Sequence, residues 1–180
     1  MRGFLLGILC AVVLMLGAVY ASVTQGWIPA GQDATPSKVE RWMAKRSLRA
    51  TLRRESRSLT NPLAVNDENL ASGIALYVTH CQICHGGPDG SPTLVARGLS
   101  PEGPQLARHG VEDDPDGSIY WKITHGIRFT GMPSFGKTLS DQERWQITLF
   151  LKHMDKLPAG AQASWKASEQ TPGTPRPPGS

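Results

Sequence analysis

Cys81-Gln82-Ile83-Cys84-His85, two thiols three residues apart followed at once by histidine, constrains this chain more than any other feature of its 180 residues. The spacing is that of covalent c-type haem attachment. One helical turn sets both thiols on the same side, within reach of two vinyl groups, and leaves His85 beneath the iron as proximal ligand. A structural zinc site needs two further ligands, usually a second Cys or His pair at short spacing. The remaining cysteine, Cys10, lies in an apolar run, and His80, His109, His125 and His153 form no such pair. A thioredoxin-like redox pair belongs in a βαβ context, and no strand pattern precedes the motif. A second CxxCH and any internal repeat are absent, so the expectation is one haem in one globular domain of about a hundred residues.

The flanks of the motif read as helix. Asn66-Asp67-Glu68-Asn69 offers an N-cap and an acidic first turn ahead of Leu70, Ile74, Tyr77 and Val78, which recur at helical spacing. Gly73 costs about 1 kcal/mol inside a helix, which points to a close approach by another backbone there. Ser140-Asp141-Gln142-Glu143 is a capping box opening a second helix that runs to about residue 154, with Trp145, Ile147, Leu149, Phe150 and Leu151 as its apolar surface. Between them, Gly131-Met132-Pro133-Ser134-Phe135-Gly136 presents a methionine in a loop, freed by a glycine before it and stiffened by a proline after it.

In the order helix, CxxCH, variable loop, short helix, methionine loop and closing helix, with Gly73 and Tyr77 ahead of the motif, the chain resembles the class I cytochrome c family. The resemblance covers residues 62–158. It implies an all-α fold around one covalently bound haem c, with Cys81 and Cys84 as thioether anchors, His85 as proximal ligand and Met132 as distal ligand. His125 rivals Met132, and an open sixth position is the third possibility. The family supports its proximal histidine with a proline carbonyl. Pro104, in Gly103-Pro104-Gln105-Leu106, is the nearest match, with Pro101 and Pro92 as competitors. Tyr77, Trp121, Ile127, Phe129, Leu149 and Phe150 are expected as an apolar wall that disfavours the extra charge of ferric iron. Imidazole plus thioether ligation raises the potential, and no residue is required as acid, base or nucleophile, so an electron carrier is expected rather than an enzyme. An open sixth position would instead indicate a haem enzyme or gas sensor. A third reading is a cytochrome subunit of a dehydrogenase or reductase.

Residues 4–23 carry no charged side chain, enough to span a bilayer at ~1.5 Å per residue. Residues 1–23 are therefore a transmembrane anchor or a signal peptide. Val19-Tyr20-Ala21 permits cleavage; the length of the run and the minimal charged start at Arg2 favour an anchor. Residues 24–61 form a linker. Its stretch 38–57 holds eight Lys or Arg against Glu40 and Glu55, net +6, whereas residues 62–158 hold eight basic and eleven acidic residues, net −3. The positive excess therefore comes from the linker, and no nucleic acid is expected as partner. A capping pattern at Ser37-Lys38-Val39-Glu40 predicts a helix over residues 38–59. Val39, Trp42 and Met43 lie on one of its sides, Leu48, Leu52 and Leu59 nearly opposite, which suits packing on the haem domain or a partner.

The positive-inside tendency would hold this stretch in the cytoplasm, but most of its charge lies at or beyond the counted distance from the apolar run. Because haem is attached to CxxCH outside the bacterial inner membrane, the expectation is an inner-membrane protein with its domain in the periplasm, or a soluble periplasmic one after cleavage. Redox partner proteins follow from that reading. Glu112-Asp113-Asp114-Pro115-Asp116 is either a docking surface for a basic partner or a solvated turn in which Asp116 helps cap a short helix over residues 118–125. Residues 159–180, rich in Pro, Gly, Ser and Thr, read as disordered.

Overall fold

In the computed structural model, which describes residues 2–31 and 33–170, the chain falls into two units, Met1–Ala34 and Thr35–Ser180. The first is built on α1 (Arg2–Thr24), 23 residues long with none of them buried, whose most apolar 18-residue window reaches a mean hydropathy of 2.6. At ~1.5 Å per residue it is about 35 Å long. It is the one helix among the described residues long and apolar enough to cross a membrane.

Among the described residues of the second unit every regular element is a helix, with no strand. It comprises α2 (Lys38–Glu55), α3 (Asp67–His80), α4 (Gln82–His85), α5 (Leu94–Arg97), α6 (Asp116–His125), α7 (Asp141–Lys152), α8 (Ala159–Ala167) and a 3-10 turn (Ser168–Gln170). Asn66 caps α3 by accepting from the Asn69 N–H at 2.9 Å, and α3 turns Leu70, Gly73, Ile74 and Tyr77 inward. At the head of α7 both halves of the capping box form: Ser140 Oγ accepts from Glu143 N–H at 3.3 Å and Glu143 Oε2 from Ser140 N–H at 2.7 Å. Seven consecutive residues of α7, from Trp145 to Leu151, are buried. The two helices cross at Gly73, where a Cβ would stand 2.2 Å from the Gln146 carbonyl oxygen. Glycine is what lets them close to that distance.

Helix α6 joins this pair through Tyr120, stacked on Trp145 at 3.9 Å and donating its hydroxyl to the Asp141 carboxylate. Asp116 starts α6 but makes no side-chain cap; Pro115 occupies that position. The neighbouring acidic loop is tied down, with Asp114 paired to Lys122 at 2.7 Å and Lys152 Nζ donating to the carbonyls of Glu112 and Asp114.

Two sequence expectations are corrected. The linker helix ends at Glu55, not 59: Ser56 folds its hydroxyl back to Leu52 O at 2.7 Å and meets Ser118 of α6 at 3.1 Å, turning the chain into the domain. Leu48 and Leu52 are half-buried, while Val39, Trp42 and Met43 are exposed. The segment read as disordered from residue 159 is instead ordered as α8 and the 3-10 turn, with Ala161 and Trp165 buried. Residues 171–180 of that expectation lie outside the described residues.

Candidate functional site

The attachment turn follows α3 without a break: Cys81 N–H continues the helix ladder to Tyr77 O at 2.8 Å, and Cys81 O accepts from the N–H groups of Cys84 and His85 at 3.0 and 2.9 Å. Helix ends leave carbonyls without partners. Here each of four consecutive ones is met from outside the turn. Thr93 Oγ1 donates to Ile83 O at 2.6 Å, Gln105 Nε2 to Cys84 O at 3.3 Å, and Leu106 N–H to His85 O at 3.2 Å. The hydroxyl of Tyr77, fully buried, reaches both His85 O (3.2 Å) and Gly86 O (3.0 Å). The backbone presenting these thiols and this imidazole is therefore held residue by residue.

His85 Nδ1 donates to Pro104 O at 2.9 Å, which fixes the ring and leaves Nε2 as the nitrogen for a metal. Burial lowers the His85 pKa below its ordinary value, and the Pro104 carbonyl partly offsets this. Cys81 and Cys84 are free thiols. Burial pushes Cys81 up to about 12 and raises Cys84. Such thiols carry little thiolate at neutral pH, the reverse of a reactive redox pair. Among the described residues no group of three or more His, Cys, Asp and Glu is placed to hold a metal ion directly, so a zinc site lacks its donors.

The methionine loop is stitched to the end of α6. Gly126, at φ 67°, turns the chain out of the helix, and Ile127 N–H donates to Met132 O at 3.2 Å. Thr130 Oγ1 donates to Ile127 O (2.7 Å) and accepts from Met132 N–H (3.1 Å). Beyond it, Ser134 Oγ and Gly136 N–H both donate to Thr124 O, and Phe135 N–H to Ile123 O. Met132 is half-buried and packs against the core cluster. His125 is exposed, its ring against Trp121 at 4.7 Å.

Of the wall residues, Tyr77, Leu149 and Phe150 are buried in the core behind the turn, and Ile127 is half-buried. Trp121 and Phe129 are placed otherwise than expected. The Trp121 indole N–H donates to Glu55 Oε2 at 3.0 Å, because its side of α6 faces the end of α2. Phe129 sits at φ 62° in the loop and is 78% exposed. Sequence reasoning missed Thr93 and Gln105, whose only signal was their nearness to prolines in the loop, and Trp165, which lay in the segment read as disordered.

The donor set fits a c-type haem: two free thiols in one turn, an imidazole with Nδ1 engaged and Nε2 to spare, and a thioether on a loop packed against the same core. Residues 68–151 match the family described as cytochrome C oxidase, cbb3-type, subunit III. None of the curated proteins compared with the chain matches it.

Proposed function

Because residues 68–151 belong to the cytochrome c family, we propose that the protein is a membrane-anchored monohaem cytochrome c, passing single electrons between redox partner proteins on the periplasmic face of the inner membrane. The observation that carries this reading is the His85 Nδ1–Pro104 O bond within a turn whose carbonyls are all engaged. When bound, the haem supplies a one-electron iron couple.

The chain's own residues hold and tune. Cys81 and Cys84 would hold the haem covalently through their sulfurs. His85 would give Nε2 to the iron, while the Pro104 carbonyl fixes its tautomer and raises its basicity. Met132 would supply its thioether sulfur to the iron, a role supported by its place on the core and by the exposure of His125. Tyr77 and Phe150 exclude water behind the turn, which disfavours the more highly charged ferric state. No side chain is assigned a proton or a bond to transfer. Helix α1 supports the anchor reading by its length and composition.

Covalent attachment is checked by denaturing electrophoresis with haem-peroxidase staining. The wild-type band is expected to stain, and the Cys81→Ser/Cys84→Ser double variant is expected not to. A wild-type band without stain would overturn the proposal. A second reading, favoured by the matched family's description as an oxidase subunit, is that the chain serves within a membrane-bound oxidoreductase complex. Purification in mild detergent separates the two: a stoichiometric partner supports the subunit, an isolated monomer the free carrier.

A further inference from the structure

The family match ends at residue 151, yet the ordered chain continues through α8, which packs on α3. A nine-residue helix is marginal by itself. This one begins at Pro158 with no side-chain cap, so its order comes from docking. What docks is Trp165. Its ring meets Tyr77 edge-on at 5.4 Å and Phe150 at 5.1 Å, and Tyr77 and Phe150 meet each other at 5.4 Å, giving three mutually edge-to-face rings. Edge-to-face pairs of this kind attract beyond their burial alone, because the positive edge of one ring meets the negative face of the other.

The same segment reaches the attachment turn twice. Through the rings it holds Tyr77, whose single hydroxyl proton is shared between the carbonyls of His85 and Gly86. Further on, Ser168 folds its hydroxyl to Trp165 O at 2.6 Å, and its carbonyl accepts from Gln82 Nε2, between the two cysteines, at 3.3 Å. Gln82 and Ser168 are both buried.

We propose that residues 159–168 are a clamp on the proximal side of the haem turn, and that Trp165 is a positioning residue for His85, acting through the Tyr77 hydroxyl. The inference rests on the haem reading above. A loosened clamp lets water reach the His85 carbonyl and its surroundings. Water favours the more highly charged ferric state, so the midpoint potential falls.

The test is a redox titration of the full-length holoprotein in five forms: wild type, Trp165→Ala, Tyr77→Phe, the double variant, and Trp165→Phe as the conservative replacement. Trp165→Ala and Tyr77→Phe are each expected to lower the potential. The double variant is expected to fall no further than the larger single shift, because both act on one contact. Trp165→Phe is expected to restore most of the difference. A Trp165→Ala protein that melts earlier but keeps the wild-type potential would reduce Trp165 to core packing, and additive shifts would also overturn the proposal. Should Trp165→Ala not accumulate with haem, Tyr77→Phe and Trp165→Phe decide: an unchanged potential in Tyr77→Phe overturns the clamp. A wild-type protein without covalent haem sinks the functional reading itself, and its visible spectrum shows this before any titration.

Discussion

At Gly73 a methyl group would stand 2.2 Å from the Gln146 carbonyl oxygen and 2.9 Å from Phe150 Cβ, neither of which yields without moving a helix. In an open helix Gly→Ala stabilises by about 1 kcal/mol. Here the sign is expected to reverse, with Gly73→Ala losing about 1–3 kcal/mol in denaturant titration; a more stable variant would mean that the crossing is looser than described. Thr93→Val keeps the shape but removes the donor to Ile83 O, leaving a carbonyl of the attachment turn unmet. A loss of about 1–3 kcal/mol is expected by the same titration. The motif residues were legible because each carries its chemistry in its identity and spacing. Thr93 and Gln105 were not, since their task is to meet carbonyls whose positions depend on how the loop folds.

The capping box of α7 has a consequence in acid. Glu143 has its carboxyl held below the ordinary range, first by the Ser140 backbone N–H and then by the Ser140 hydroxyl. A carboxyl whose folded pKa is depressed adds stability that is present above its unfolded pKa and lost as pH falls through the folded value. Unfolding midpoints measured downward from neutral pH are therefore expected to fall in the acid range, below the ordinary carboxylate pKa of 4.5, by less in Glu143→Gln than in wild type. Identical acid profiles would remove Glu143 from that account. Ser140→Ala is expected to cost about 1 kcal/mol. Helices α3 and α7 were legible because cap, acidic first turn and apolar period agree. Helix α8 was not: Ala159-Gly160-Ala161-Gln162-Ala163-Ser164 has little apolar period, and its order comes from one tryptophan finding two rings that are distant in sequence. The end of α2 was misjudged for a related reason, since Ser56 turns the chain toward Ser118, a residue of another helix.

Across the whole molecule, a small domain of net negative charge is joined to a basic helix and, in the other unit, to an apolar one. The all-helical class could be read from the sequence because every strong signal was of helical period. The positions of Trp121 and Phe129 could not, since apolar identity alone does not say which side of α6 meets α2 or which way a loop residue at positive φ turns. In the function we propose, this domain carries an electron on an iron held by His85 and Met132. The most direct measurement is the visible spectrum of the oxidised full-length protein, in wild type and Met132→Ala, read at the weak far-red band that methionine sulfur gives on ferric haem. The band is expected in wild type and absent from the variant. A wild type that lacks the band, and binds carbon monoxide readily when reduced, would contradict the claim and point to an open iron.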